Sequence, residues 1–450
     1  MTFARQSKHV NVCEHKVGHA KPRARYAMSS VGYAARLNQD ADVGGTLGEP
    51  EIWDAEDKVE RDALALALII KESVSSSTHT ARYGCVIHTG AGISRACGIP
   101  DFRGPDGVWT RKARGLPPPE CSIALDRAAP SATHQIIAEL VRRGYVRQVV
   151  SCNVDCLHIK SGLASDKLCE LHGNCFAERC ETCGKEYVRD FEQLTVGFQL
   201  TGRHCVDGAC GGRLRDQVLD WDDALPEVEL KRAERESTHA YASIVLGSSL
   251  QIKPSCDIPL RTTHLKRRRG VDDDNRGKLV IVNLQATVKD KKASLVIHAE
   301  SDRVMRRVAQ HLRLRIPEYV RVDRLLVKYQ PPAASFAIRV VNIDDEDAPI
   351  PWLDRIDLRF SSPQVDVLSS ETVALTSPFV HHMQKLQLPV TDALLVVQMT
   401  FHFAEGCTER PVSKRHSMSL VKTEEVRYEF TTIVKRYEQE NEENVGQVSC

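Results

Sequence analysis

The sequence predicts an α/β fold: a doubly wound parallel sheet, interrupted by a zinc-ribbon module and followed by a C-terminal β-rich domain. Three observations predict it. Four short apolar runs each end in a glycine or polar loop, two cysteine pairs stand at metal-ligand spacing, and beyond Pro317 the texture changes to alternating strands. The chain has 450 residues, enough for two or three domains of about 150 residues each.

Residues 1–53 are polar and dotted with glycine, and are expected to be a mostly disordered extension, with Met1 to Ala27 carrying six Lys/Arg against one acid. Regular structure is expected near Asp54. There an acidic first turn (Asp54, Glu56, Asp57) precedes Val59, Ala63, Leu66 and Ile70, the apolar stripe of a surface helix. Cys85 to His88 reads as a strand that runs into Thr89-Gly90-Ala91-Gly92 and then a helix. The same grammar recurs in a helix from Ser131 to Arg143 closed by Gly144, and in strands Val146 to Ser151, Ala242 to Leu246 and Lys278 to Val282, each running into a polar loop. These segments define a domain over 54–317, with the cysteine-rich insert at 175–215. Runs such as Leu325 to Tyr329, Phe336 to Val341, Ile356 to Phe360, Leu394 to Phe403 and Val426 to Val434 predict an antiparallel accessory domain over 318–436, and the acidic end, 437–450, is expected to fray.

With 61 Lys+Arg against 60 Asp+Glu the chain is neither a uniformly basic nucleic-acid wrapper nor an acidic-tailed protein, so a polyanionic partner would need a local patch. The longest apolar run, Ala63 to Ile70, is too short to span a bilayer and predicts a soluble protein without a membrane partner. Fifteen cysteines, an odd number with no secretory leader in front of them, point to a reducing compartment with metal-bound or buried thiols.

Cys180-x2-Cys183 and Cys205-x4-Cys210, 21 residues apart, give two thiolate pairs on two turns, the layout of a tetrahedral structural zinc site. Four buried thiols without metal would leave Gly184, Gly211 and Gly212 after the knuckles unexplained. His204 beside Cys205 is the alternative ligand. Zinc alone names no function.

Gly90-Ala91-Gly92 after a strand is a phosphate-cradling turn, although the third glycine of a dinucleotide fingerprint is absent. In an open parallel sheet, ligands bind at the carboxyl ends of the strands, where loops present unpaired N–H groups. The run Gly98 to Gly104 reads as a flexible lid able to offer Arg103 to phosphate and Phe102 to a ring. His172, beside Gly173 and just before the first knuckle, is a candidate general base, set against the commoner structural role of a lone histidine.

Taken together, Gly90-Ala91-Gly92-Ile93-Ser94, Gly98 to Trp109, Asn153-Val154-Asp155, Leu171-His172-Gly173-Asn174, the four cysteines, Gly247-Ser248-Ser249-Leu250 and Val282-Asn283-Leu284-Gln285 resemble the sirtuins. The Gly-Val-Trp element, Asp220-Trp221-x-Asp223-Ala224-Leu225-Pro226 and the Asn-Leu-Gln loop look like the class IV, nuclear branch. The resemblance covers about Met28 to Pro317, and the β-rich tail is similar to that of plant-type members.

The resemblance implies a Rossmann-like domain with a zinc module, using NAD and zinc to remove acyl groups from protein lysines. It implies that the cofactor is held by Gly90, Ala91, Gly92, Ser94, Asp101, Phe102, Arg103, Trp109, Cys152, Gly247, Ser249, Asn283, Gln285 and Ser301. His172 would be the general base on a ribose hydroxyl, Asp155 would bind the nicotinamide carboxamide and Asn153 would fix that loop. Cys180, Cys183, Cys205 and Cys210 would hold the zinc. It further implies a nuclear protein acting on acylated protein lysines, histone tails above all, with contact to chromatin or DNA. A mono-ADP-ribosyltransferase and a weakly catalytic NAD- and chromatin-binding module are the alternatives.

Three positions depart from the family pattern. Cys152 stands where the family usually has Gln, Cys156 replaces a glycine, and Arg95 replaces the Thr of close relatives. A thiol is a weak donor, so the expectation is slowed or redox-sensitive turnover with cofactor binding retained. Lys266 to Arg269 reads equally as a nuclear import signal or a solvated loop.

Overall fold

The computed structural model describes residues 30–75, 83–263, 277–330, 335–343, 346, 348–361, 372–384, 394–404, 410–419 and 423–434. The basic N-terminal stretch, Lys266 to Arg269, Asp272 to Asp274 and the acidic end lie outside these residues.

Six parallel strands form the central sheet: β1 (Cys85–Thr89), β2 (Val146–Ser151), β3 (Leu168–Glu170), β8 (Ala242–Leu246), β9 (Lys278–Val282) and β10 (Leu295–Ile297), in the order β10-β9-β8-β1-β2-β3. The chain therefore works outward in one direction from β1 and in the other from β8, the doubly wound arrangement with its switch point between these two strands. Alternation along the strands feeds two apolar layers. Cys85, Ile87, Val149, Ile244, Leu246, Val280 and Val282 face one side, while Val86, Val150, Val245, Leu279 and Ile281 face the other.

The first layer is covered by α2 (Glu56–Ser75), α4 (Ala132–Arg142) and α7 (Ser301–His311). Helix α2 buries Val59, Ala63, Leu66, Ala67 and Ile70, the stripe read from the sequence, behind an acidic first turn of Glu56 and Asp57. Helix α4 starts at a capping box in which the Ser131 side chain accepts from the His134 N–H and His134 reaches back to the Ser131 N–H. It ends before Gly144, at φ +80°. The second layer is covered by α6 (Glu227–His239) and a 3-10 helix at Ser255–Thr263.

One expectation is corrected. Regular structure begins at α1 (Ser30–Arg36), not near Asp54, because Tyr33, Ala34 and Leu37 bury themselves against Val108, Trp109 and Phe176. One short helix in a polar stretch carries too little periodicity to be seen in the sequence. The helix expected after the glycine turn is a 3-10 helix, Ala91–Cys97, closed by Gly98 at φ +84°. The edge strands β3 and β10, three residues each, are likewise too short to carry a period in the sequence.

The insert is an antiparallel sheet of β4 (Gly173–Cys180), β5 (Glu186–Val188), β6 (Leu200–His204) and β7 (Arg213–Val218), ordered β5-β4-β7-β6. The small helices α3 (Val108–Ala113) and α5 (Leu157–Lys160) complete this side of the molecule. Beyond it, eight antiparallel strands form two sheets. One holds β11 (Tyr319–Gln330), β12 (Ser335–Asn342), β15 (Val380–Gln384) and β18 (Glu424–Val434); the other holds β13 (Leu353–Ser361), β14 (Val373–Leu375), β16 (Leu394–Phe403) and β17 (Val412–Ser419). Their inner faces share one core around Trp352, Tyr329, Met399, Phe401 and Phe430, so the accessory region is a β-sandwich.

A buried ion pair joins the sandwich to the α/β domain: Arg127 meets Asp323 of β11 through two parallel contacts of 3.0 Å, with both side chains almost fully enclosed. Asn342 of β12 adds a 3.0 Å bond to Asp190 in the insert. Among the described residues no helix is long and apolar enough to cross a membrane.

At the switch point the β1 and β8 loops touch backbone to backbone. A Cβ on Gly92 would lie 2.8 Å from the Gly247 Cα, and one on Gly247, itself at φ +61°, would lie 2.6 Å from the Ile93 nitrogen. Close packing, before any ligand, thus requires glycine here. Gly92→Ala is expected to lower the unfolding free energy of the unliganded protein by about 1–3 kcal/mol, read from urea denaturation. Asp323→Ala removes the carboxylate from a buried guanidinium and is expected to cost about 3–5 kcal/mol in the same measurement, with early proteolytic release of the sandwich.

Candidate functional site

A cleft of about 530 Å³ opens at the carboxyl ends of β1, β2, β8 and β9. Gly90, Ala91, Gly92, Asp101, Phe102, Arg103, Trp109, Cys152, Asn153, His172, Gly247, Ser249, Asn283 and Gln285 all line it. Ser301, at the start of α7, lines an adjoining cleft of about 250 Å³ that shares Gly92, Asp101, Gly247, Asn283 and Gln285. Ser94 and Asp155 line neither: they stand behind the glycine turn and hold it.

That support is a chain of hydrogen bonds. The Asn153 amide donates to the Gly90 carbonyl at 3.2 Å and to Ser94 Oγ at 3.3 Å, and Ser94 Oγ donates to Asp155 Oδ2 at 2.6 Å. Asp155 Oδ1 accepts from the Leu157 N–H at 3.0 Å, which starts α5. The loop after β2 is thereby fastened to the loop after β1 from the inside.

His172 stands in the turn between β3 and β4, held by Gly173, whose φ is +82° and where a Cβ would meet the Gln217 carbonyl oxygen at 1.9 Å. Its Nδ1 lies 3.2 Å from the Cys152 carbonyl oxygen, so Nδ1–H donates and Nε2 keeps its lone pair. Burial lowers the imidazole pKa below its ordinary value, against the opposite pull of the Cys152 carbonyl. The ring on the cleft wall is therefore neutral at pH 7. The Cys152 thiol lines the same cleft, and burial pushes its pKa up to about 11, so it is a thiol and not a thiolate.

The segment Gly98 to Gly104, expected to be a flexible lid, is pinned. The Asp101 and Phe102 carbonyls accept from the Val108 and Trp109 N–H groups at 2.9 Å each, and Asp101 Oδ1 accepts from the Gly104 N–H at 3.0 Å. The Arg103 guanidinium is committed to the carbonyls of Gly44 and Val43, both at 2.6 Å, and so ties the N-terminal segment over the site. Phe102 stacks on Trp109 with centroids 5.5 Å apart, and Tyr33 and Trp221 extend this aromatic wall at 6.1 and 5.8 Å. Tyr33 and Trp221 line the cleft but were not in the predicted site. The aromatic-bearing Asp220–Pro226 motif signalled Trp221; nothing in the polar N-terminal segment signalled Tyr33.

The remaining two departures have structural outcomes. Cys156 caps α5 at φ +63°, a conformation that disfavours any side chain, which accounts for the glycine usual there. Arg95 pairs with Glu51 at 2.5 Å and lies 3.7 Å from Asp101, so the cation is balanced by carboxylates within the smaller cleft.

In the insert, the sulfurs of Cys180, Cys183, Cys205 and Cys210 all lie within 4.8 Å of one another, with Cys180 to Cys210 at 3.6 Å and Cys183 to Cys205 at 3.8 Å. An ion about 2.3 Å from each of four tetrahedral sulfurs requires edges of about 3.8 Å, so the four thiols fit one zinc ion. His204 is not part of the cluster. A Cβ on Gly212 would come within 2.7 Å of the Cys180 sulfur, which explains the glycine after the second knuckle.

Comparison with known proteins agrees with this arrangement. Residues 120–254 match the Sir2 family. The chain is 41% identical over 383 residues to the NAD-dependent protein deacetylase SRT1 of Oryza sativa subsp. indica, covering 84% of this chain and 74% of that protein. It is 42% identical over 297 residues to the NAD-dependent protein deacetylase Sirt6 of Drosophila melanogaster, covering 64% of this chain and 87% of that one. Against human NAD-dependent protein deacetylase sirtuin-7 it is 38% identical over 257 residues, covering 55% and 61%. With the switch-point cleft, the histidine on its wall and the four-thiol insert already in place, these matches identify the chain as a member of the Sir2 family.

Proposed function

We propose that this chain is an NAD-dependent protein-lysine deacylase of the class IV, nuclear branch, acting on histone tails. The observation that carries the chemistry is the His172 tautomer: Nδ1–H is tied to the Cys152 carbonyl, which leaves Nε2 as a proton acceptor on the cleft wall. The relatedness to SRT1, Sirt6 and sirtuin-7 supports the reaction class and the branch.

The cleft fits a dinucleotide: glycines at positions 90, 92 and 247 keep its floor clear of side chains, and its aromatic wall suits a flat ring. Bound NAD supplies an ADP-ribosyl group that accepts the acyl oxygen of the substrate lysine as nicotinamide leaves. Within the protein, Ala91 and Gly92 would receive the phosphates, with Gly90 holding the turn, and Gly247, Ser249, Asn283, Gln285 and Ser301 the adenosine end. Phe102 and Trp109 would exclude water from the reacting ribose. Asn153, Ser94 and Asp155 act as a bracket, keeping the loop after β2 at a fixed distance from the glycine turn. Asp155 spends one acceptor site of each carboxylate oxygen on Ser94 and the α5 N–H, and Arg103 two of its five N–H groups on the Val43 and Gly44 carbonyls, so each would keep these partners while meeting carboxamide or phosphate.

His172 Nε2 takes a ribose hydroxyl proton, which only the neutral ring can do. Cys152, lacking the reach of a glutamine amide, leaves one hydroxyl contact unmade, at a cost of about 0.5–1.5 kcal/mol.

The test is incubation of the purified protein with NAD and acylated histone peptides, followed by mass spectrometry. Free nicotinamide, deacylated peptide and O-acyl-ADP-ribose are expected; ADP-ribose attached to protein, or no nicotinamide release, would overturn the reading. His172→Ala is expected to abolish turnover while zinc content and melting temperature stay unchanged. In the wild type, kcat/KM is expected to rise with pH and level off, with a midpoint below the ordinary histidine value of about 6.5, because burial favours the neutral ring.

A further inference from the structure

The zinc module holds one polar contact that the four ligands do not account for. The hydroxyl of Tyr187, on β5, lies 3.0 Å from the sulfur of Cys205. The Tyr187 ring packs against the small cluster of Cys180, Cys205 and Leu214. The Lys185 ammonium lies 5.5 Å from the ring centroid and the Arg189 guanidinium 4.8 Å from it.

A zinc ion bound by four thiolates carries a net charge of about −2, and that excess charge resides on the sulfurs. Hydrogen-bond donors aimed at ligand sulfurs are the usual way a protein stabilises such a charge and fixes the ligand's orientation. Of the four ligand sulfurs, Cys205 is the one that a hydroxyl of the module reaches. Cys205 also closes the second knuckle, its N–H donating to the Gly212 carbonyl at 2.7 Å, so its position sets the approach of the β6–β7 turn to the metal.

We infer that Tyr187 is a positioning residue of the zinc centre: its hydroxyl donates to the Cys205 thiolate, slowing zinc loss and shielding that sulfur from electrophiles. The inference takes the four-thiol site as the zinc site and is independent of the deacylase reading.

Tyr187→Phe keeps the ring, its packing and its cationic neighbours and removes one hydroxyl. Zinc transfer from the full-length, zinc-loaded protein to a chromogenic chelator is followed in both forms, together with the order in which the cysteines react with iodoacetamide. In that reaction the thiolate sulfur forms the new S–C bond and iodide leaves. Zinc transfer about 10-fold faster in the variant, with Cys205 rising to first place in the order of alkylation and the zinc-loaded near-ultraviolet circular dichroism unchanged, is the expected result. Equal release rates and an unchanged order of alkylation would overturn the inference. Faster release with all four cysteines accelerated alike would overturn it too, since that pattern marks general loosening of the module. If the wild-type protein purifies with no zinc and binds none, the metal assignment fails and this inference with it.

Discussion

The contact on which the rest of the molecule depends is the backbone approach of Gly92 to Gly247 at the switch point of the sheet. Strands that diverge from β1 and β8 leave a crevice at their carboxyl ends, and side chains on the first loop residues would fill it. Glycine at these positions lets the two loops close on each other, with the Gly92 N–H donating to the Gly247 carbonyl at 2.9 Å, and keeps the floor of the cleft clear of side chains. Everything chemical is arranged around that floor. The loop after β2 is bolted to it by Asn153, Ser94 and Asp155, the turn before the zinc module carries His172 to its rim, and the aromatic wall of Tyr33, Phe102, Trp109 and Trp221 closes the side.

The protonation logic of the site follows from where polar partners are placed. His172 meets a backbone acceptor at Nδ1 and is withdrawn from water, so its neutral form and one tautomer are favoured together. The acceptor belongs to Cys152, one of the three positions at which this chain leaves the family pattern. The substitution changes the side chain but not the carbonyl, so the ring is oriented by a group that any residue at 152 would supply. Cys156 is the opposite case. Its backbone conformation at φ +63° asks for glycine, and the chain accepts the strain in a turn already fixed by Asp155 and α5.

Much of this was legible in the sequence because it rests on short-range rules. The four long strands of the sheet, helices α2 and α4 with their acidic turn and serine cap, and the thiol spacing all follow from periodicity, capping and ligand geometry. The long strands of the sandwich followed from alternation and turn breaks. Long-range relations were not legible. Tyr33 and Leu37 reach the cleft wall from a segment with no pattern of its own, and the commitment of Arg103 to the Val43 and Gly44 carbonyls depends on where that segment lies. The pairing of Arg127 with Asp323 joins residues 196 positions apart, and neither is marked as a partner by its neighbours. Ser94 and Asp155 are expected at the cofactor from their motifs, and the hydrogen bond between them, which brackets the glycine turn, is a relation that spacing alone does not reveal.

The central claim is that His172 offers an unprotonated Nε2 to the cleft. Nitrogen-15 NMR of histidine-labelled protein, with the resonance assigned by its loss in a residue-172 substitution, measures this directly. A protonated Nδ1 and an unprotonated Nε2 at pH 7 is the result the account predicts. The reverse tautomer, or a ring protonated at both nitrogens at that pH, would contradict it.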